Sequence, residues 1–417
     1  MTEYRVIDSI MGSGKTTHII NELRHATAQT KRLIIIAPYL TEVNRFISSV
    51  PELNFATPSD HGGSKLADFH KLVAAGRNIV STHQLFLRWN KETLKSLQAQ
   101  GYDLIIDETV DCIRNYGSGK DELDSKDILF FIDSGQVAQG ENSRLNWNSK
   151  RPPGPNLAQL KRDCDAGRLY FLPSENNDGL MFWEFPIELL EAFQSVTILT
   201  YLWDGSLMSA YLAAHGAQVE RMTLNKEKSL VPWSKEIEAE TARPLAELIH
   251  VLDDDKLNSV GTDDTAFSNT WLGRQKLSVL KQTTRNTRNI LRHRFSADAG
   301  TTMWSSVAEH TDSLCPTGFK GSYAACNLRA TNEYRDRTHL AYLRNIYMNP
   351  TILRFYQKLR GAEPNRDRYA LAELLQWVFR SAIRDNKPVQ LYLPSKRMRQ
   401  LLYSWMKDAE MNAELAA

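Results

Sequence analysis

Cysteine is scarce in this sequence: 417 residues hold four (Cys112, Cys164, Cys315 and Cys326), none of them in a C-x-x-C pair. That argues against a disulfide scaffold and a structural zinc, and it suits a reducing, cytoplasmic setting. Long apolar runs are missing as well. Nothing approaches the roughly 18 residues a membrane-spanning helix needs, so no membrane partner is expected. The opening MTEYRVIDSIMGSGK carries acids and glycines where a signal peptide needs a basic start and an apolar stretch. Net charge is nearly absent: 51 Lys and Arg against 49 Asp and Glu leave +2. A polybasic binder is thereby excluded, and any nucleic-acid site must be a local patch or a groove lined by backbone amides. The ten histidines show no metal-ligand spacing such as H-x-x-x-H, so no metal beyond Mg²⁺ is indicated.

What is present is an ordinary globular composition, 42% apolar and 24% charged, at a length that suggests two or three domains. The first 110 residues repeat a short apolar run, a turn and an amphipathic stretch. Tyr4 to Ile10, Leu33 to Ala37, Asn78 to Ser81 and Leu104 to Ile106 read as buried strands. Strands alternating with helices, such as one from Lys15 to Ala26, indicate a parallel sheet covered on both faces. Val196 to Leu202 is a further strand, reached only after a polar interval at about 112–190. That interval reads as an insertion, either a small subdomain or a long excursion. Later, Leu245 to Leu252, Thr302 to Val307 and Val389 to Leu393 read as strands of a second sheet, and the C-terminal end as a helix. A basic stretch bearing Arg274, Lys276, Lys281, Arg285, Arg288, Arg292 and Arg294 contains no acid. It fits phosphate tracking and a solvated helix face equally well. Trp147, Trp203 and Trp304 are expected in cores rather than as base-stacking platforms.

The strongest chemical signal is Ser9-Ile-Met11-Gly12-Ser13-Gly14-Lys15-Thr16-Thr17, between a strand and a helix. Small residues let successive backbone N–H groups wrap phosphates at a helix N-terminus. Residues Met11 to Thr17 would hold ATP, with Lys15 on the β- and γ-phosphates and Thr16 on Mg²⁺. The strict P-loop pattern has glycine where Ser9 stands. The second signal is Asp107-Glu108, closing the apolar run Asp103 to Asp107. Asp107 would hold the Mg²⁺ shell and Glu108 would orient the attacking water. In the second half, Arg380 and Arg384 lie four residues apart on what reads as one helix, so both project from one face. Two guanidinium groups there would stabilise charge developing during phosphoryl transfer.

Together these motifs resemble those of superfamily 2 DExx-box helicases, of the type encoded by phages and mobile elements. Gly12-Ser13-Gly14-Lys15-Thr16 is similar to motif I and Asp107-Glu108 to motif II. Ile34 to Arg45, containing Pro38, resembles motif Ia, and Ser81-Thr82-His83-Gln84 resembles the Ser/Thr-Thr-His segment Ic. Thr200-Tyr201-Leu202 stands where the family has Ser-Ala-Thr. Asn327 to Tyr334 resembles motif V, and Gln376 with Arg380 and Arg384 resembles motif VI, lacking its glycine and with arginines one residue further apart. The resemblance implies nucleic-acid contacts at Pro38, Thr82, His83, Arg329, Thr331 and Asn332, and a catalytic role for Gln376 beside Lys15, Asp107, Glu108, Arg380 and Arg384.

The expected fold is α/β: two RecA-like P-loop domains with parallel sheets, at 1–205 and 206–417, with the insertion in the first. The implied function is an ATP-dependent helicase or translocase. It would hydrolyse ATP with Mg²⁺ in a cleft between the domains and move along DNA, single-stranded or forked, in preference to RNA. The implied setting is a bacterial or phage-infected host cytosol, with replication or recombination proteins as candidate partners. The rival readings are a terminase-like packaging motor, a small-molecule P-loop kinase and an ATP-gated nucleic-acid-binding module that does not unwind.

Overall fold

A computed structural model describes residues 2–25, 32–60, 63–117, 123–173, 179–326 and 333–415. The N-terminal strands are β1 (Glu3–Asp8), β2 (Arg32–Ala37), β3 (Ile79–Thr82) and β4 (Tyr102–Asp107). The insertion contributes β5 (Ile113–Asn115), β6 (Val137–Gln139), β7 (Leu145–Trp147), β8 (Leu169–Pro173) and β9 (Gly179–Glu184). There follow β10 (Ser195–Thr200), β11 (Val219–Leu224) and β12 (Leu230–Pro232), then β13 (Ile249–Val251), β14 (Thr302–Ser306), β15 (His339–Leu343) and β16 (Val389–Tyr392).

One seven-stranded sheet has the order β12-β11-β1-β10-β4-β2-β3. Its strands β10, β4, β2 and β3 are mutually parallel, whereas β12 runs antiparallel to β11. The parallel strands read as continuous apolar runs because helices cover both faces, leaving no solvent side for alternation to mark. In β2 every residue from Leu33 to Ala37 is buried. A second sheet, β13-β16-β15-β14, is parallel throughout. Both sheets alternate with helices, so the α/β class expected from the periodicity is what forms.

The chain does not part at a single cut near residue 205. One compact unit comprises Met1–Ile7, Thr16–Glu220 and Asn349–Pro364; the other comprises Asp8–Lys15, Arg221–Met348 and Asn365–Ala417. The return of Asn349–Pro364 has a visible cause. Phe355 packs on Phe182 and edge-on to Tyr170, Tyr356 Oη donates to the Leu207 carbonyl at 2.8 Å, and the Arg360 guanidinium pairs with the buried Glu184 carboxylate. His215 meets the same carboxylate at 3.2 Å. Burial alone would raise the Glu184 pKa, but the His215 and Arg360 hydrogen bonds and the Arg360 charge outweigh it and hold the carboxyl below its ordinary value.

The insertion is a folded subdomain rather than an excursion. It has an antiparallel sheet β5-β9-β8, a β6-β7 hairpin, and helices Ser125–Asp133 and Ala158–Asp165. It does not build a separate core: Ile113, Leu145, Leu169 and Phe182 join Val6, Ile36 and Leu104 in one cluster. The second unit has its own cluster around Phe267, Leu291, Trp304, Phe319 and Leu343.

The expected strand from Leu245 to Leu252 is corrected. Residues Lys235–Ala246 are helical and only Ile249–Val251 pairs, alongside β16. Apolar residues at 245, 248, 249 and 251 satisfy either period, and the helix ends just after Pro244. Trp304 is fully buried and Trp203 nearly so, in keeping with core roles. Among the described residues no helix is long and apolar enough to cross a membrane.

Candidate active site

Residues 9–14 form the loop between β1 and the helix Lys15–His25. Gly12 and Gly14 adopt φ of +78° and +97°, values that L side chains rarely tolerate. The Ser13 N–H closes the loop on the Ile10 carbonyl at 3.2 Å. Lys15 folds back over it, its Nζ donating to the Ser9 and Ile10 carbonyls at 2.5 and 3.1 Å. Ser13 Oγ is shielded from solvent and has no hydrogen-bond partner among the described residues. Met11 is half-buried and Thr17 exposed, the latter accepting a hydrogen bond from Arg45 at 3.4 Å.

Thr16 and Asp107, 91 residues apart, meet: the Thr16 hydroxyl donates to Asp107 Oδ1 at 3.3 Å. Asp107 ends β4 and is buried. The next residue, Glu108, takes a left-handed backbone at φ +66° and donates its N–H to the Leu199 carbonyl of neighbouring β10. Leu202, just beyond β10, is left-handed too, at φ +57°. Neither is glycine or asparagine, so each position carries backbone strain of the kind that collects at ligand-binding sites.

Pro38 follows β2, Thr82 ends β3, Asp107 ends β4 and Thr200 ends β10. These strands are parallel, so the four residues lie along one edge of the sheet, the carboxyl edge at which open α/β sheets bind ligands. Pro38 is half-buried. Thr82 caps the short helix His83–Phe86, accepting the Leu85 N–H at 3.5 Å. The His83 ring is buried, with Nε2 at 2.9 Å from the Asp107 carbonyl oxygen, and so ties the end of β3 to the end of β4.

The arginine geometry expected near residue 380 is corrected. The helix Arg366–Val378 carries Gln376, half-buried, and stops before either arginine. The Ala382 N–H goes to the Arg337 carbonyl at 2.9 Å instead of continuing the helical ladder. Arg380 lies past the helix end, buried, with Nη1 donating to the Cys326 carbonyl at 3.4 Å. Arg384 is exposed on the separate short helix Ala382–Asp385. The two therefore share no helix face. Arg329, Thr331 and Asn332 lie outside the described residues.

Three features escaped the sequence reading. Ser9 is buried, and its hydroxyl accepts the Leu224 N–H at 2.7 Å and lies 2.9 Å from the Thr223 hydroxyl, both on β11. A serine stands in the usual glycine position because its hydroxyl satisfies a neighbouring strand. Asp8 pairs with Arg221, whose guanidinium stacks on Trp233 at 3.5 Å. Phe379 packs on Gly12 so closely that a Cβ there would come within 2.7 Å of its ring. No local motif announces any of these, since each partner lies more than 200 residues away.

Chemically, the Thr16 and Asp107 oxygens are hard donors suited to Mg²⁺, which takes one or two protein oxygens and fills its remaining positions with water and phosphate. A positive-φ glycine loop with an unsatisfied hydroxyl fits a phosphate chain. Among the described residues, no group of three or more His, Cys, Asp or Glu could hold a metal by itself.

Comparison with known proteins gives the chain a family. Residues 243–406 match the YonV C-terminal Rossmann-like domain. The chain is 32% identical over 423 residues to the SPbeta prophage-derived protein YonV of Bacillus subtilis strain 168, covering 98% of this chain and 100% of that protein. Looser likenesses in structure link it to an XPD helicase (TM-score 0.48, 11% identity, 99% of this chain and 95% of that one). A similar overlay relates it to S. tokodaii Xpd4 (TM-score 0.49, 12% identity, 96% of this chain and 94% of that one). With about a third of residues identical across nearly the full length of both proteins, the chain belongs to the YonV family.

Proposed function

We propose that this protein is a nucleic-acid-dependent ATPase of helicase or translocase type that uses Mg²⁺. The observation that carries the reading is the Thr16–Asp107 hydrogen bond at 3.3 Å. It joins the residue after the loop lysine to the carboxylate ending β4, the pairing a P-loop ATPase needs around its metal. The glycine loop, the unsatisfied Ser13 hydroxyl and the strained Glu108 support the same reading.

In this proposal Lys15 leaves the Ser9 and Ile10 carbonyls to meet the β- and γ-phosphates. Thr16 and Asp107 hold Mg²⁺, which when bound neutralises charge on the phosphate oxygens. Glu108, aimed by its left-handed backbone, orients and activates the attacking water. His83 buttresses Asp107 through its backbone carbonyl. Pro38, Thr82 and the segment containing Arg329, Thr331 and Asn332 contact nucleic acid, with DNA preferred.

The test is ATP hydrolysis measured alone and with single-stranded DNA, duplex DNA and RNA, using Lys15→Ala as control. Stimulation by one polymer, lost in Lys15→Ala, supports the reading. Stimulation without strand displacement or translocation makes the protein an ATP-gated binding module. Near-normal turnover by a folded Lys15→Ala protein overturns the nucleotide assignment.

A further inference from the structure

The basic stretch noted in the sequence folds as the helix Leu277–Asn289 with its flanks, all within the second unit. No Asp or Glu occurs between Asp264 and Asp298, while seven Lys and Arg do. Against a whole-chain net charge of +2, the rest of the molecule is net negative. Positive charge is therefore segregated here, although composition alone hides it.

Lys281, Arg285 and Arg288 stand at helical positions i, i+4 and i+7, within about 60° of the helix circumference and along about 10 Å of its length. All three are exposed, and none makes an ion pair among the described residues. Arg292 continues the series one turn on, exposed, with its guanidinium over the Phe319 ring at 4.9 Å. Arg274 and Lys276 extend it on the other side, also exposed and without ion pairs, whereas Arg294 is engaged with Asp254 at 3.4 Å. A typical solvated helix face mixes signs and forms i,i+4 pairs. This one contains no acid to pair with, and like charges four apart repel unless an anion sits between them.

The underside of the helix is fixed. Leu280, Thr283, Asn286 and Thr287 are buried, and the Thr284 hydroxyl donates to the Ser313 carbonyl at 3.1 Å. The apolar side is thus not available to insert into lipid. Leu277, 61% exposed at the start of the basic face, is too little apolar surface for a membrane anchor. The row Lys281, Arg285 and Arg288, with no acid on its own helix face, is complementary to a polymer of phosphates.

We infer that the exposed face of the helix Leu277–Asn289, carried by Lys281, Arg285 and Arg288, is a phosphate-tracking surface for the nucleic-acid strand. This rests on the proposed nucleic-acid-dependent ATPase and names a contact surface that lies outside all its helicase-like motifs. Binding there is independent of base identity, because charge on the backbone carries no sequence information.

The experiment measures anisotropy of a dye-labelled oligo-dT and a labelled duplex with the full chain from 50 to 200 mM salt. Wild type is compared with a Lys281→Gln/Arg285→Gln/Arg288→Gln variant and with Lys91→Gln/Lys95→Gln, which removes exposed charge from the helix Lys91–Gln98. Circular dichroism and ATP turnover without nucleic acid serve as fold and activity controls, and both are expected to match wild type.

Three lost phosphate contacts on a single strand should lower the slope of log K against log salt by about 2, so across this salt range the triple variant loses roughly 15- to 20-fold less affinity than wild type. The control pair should keep the wild-type slope. If wild type binds and the triple variant keeps its affinity and slope, the surface assignment is overturned while the ATPase reading stands. An equal loss in the control pair overturns it too, because bulk charge would then explain the effect. If wild type hydrolyses ATP but binds neither probe, the surface and the nucleic-acid part of the proposed function fall together, leaving the ATPase itself intact.

Discussion

Ser9→Gly is the sharpest single perturbation, because the P-loop pattern and the structure forecast opposite results. By pattern, glycine is the standard residue and the change should be neutral or favourable. By structure, Ser9 Oγ is the acceptor for the buried Leu224 N–H at 2.7 Å and the neighbour of the buried Thr223 hydroxyl at 2.9 Å. Removing it orphans a backbone donor that water cannot reach, at about 1–3 kcal/mol. Glycine's extra backbone freedom in the unfolded chain adds about 0.5–1 kcal/mol. The expected loss is therefore about 1.5–4 kcal/mol. At roughly 2–4 °C per kcal/mol for a domain of this size, the affected melting transition should fall by about 3–16 °C. Ser9→Ala keeps the backbone restrained and should show only the hydrogen-bond part of that loss, about 1–3 kcal/mol. Thermal unfolding followed by circular dichroism reads both, and a nucleotide titration checks whether the loop still binds. A Ser9→Gly protein melting within about 2 °C of wild type would refute the argument that a neighbouring strand, rather than phosphate, dictates serine here.

Glu108→Gln should retain Mg²⁺-dependent ATP binding with very slow turnover, whereas Asp107→Asn should lose the Mg²⁺ dependence itself; identical titrations over Mg²⁺ would mean the two roles are wrongly divided. Arg384→Ala should cost roughly 10³-fold in ATP turnover if that guanidinium meets the transition state, and little if it is a solvated side chain, so full activity removes it from the site. Arg360→Met should destabilise by about 3–5 kcal/mol, since it leaves the Glu184 carboxylate buried without its main partner. Because the folded Glu184 pKa lies below its ordinary value, the stability it contributes is complete above the unfolded pKa and is lost as pH falls through the folded one. Acid titration of the melting temperature should accordingly show a shallower fall below about pH 4.5 in Glu184→Gln than in wild type.

Much of the first sheet was legible because its signals are local. Leu33 to Ala37 and Leu104 to Ile106 are apolar without alternation, and only a strand buried on both faces asks for that. The loop at 9–14 was readable for the same reason, since glycines at positive φ are dictated by the backbone within the loop. Thr16 and Asp107 were expected together because both would serve one Mg²⁺ ion, the loop hydroxyl and the carboxylate after a neighbouring strand, and the structure has them at 3.3 Å.

Tertiary structure decided the rest. The helix carrying Gln376 ends at Val378 because the Ala382 N–H finds the Arg337 carbonyl, 45 residues earlier in the chain, so a four-residue spacing that promised one helix face delivers two separate settings. Asn349–Pro364 joins the first unit through the pairing of Arg360 with Glu184, 176 residues away, which no periodicity announces. Serine at position 9 makes sense only beside Thr223 and Leu224. Composition and period report what a residue does for its own helix or strand. Hydrogen bonds and ion pairs across hundreds of residues depend on which segments packing has already brought together, and that information resides in the folded chain alone.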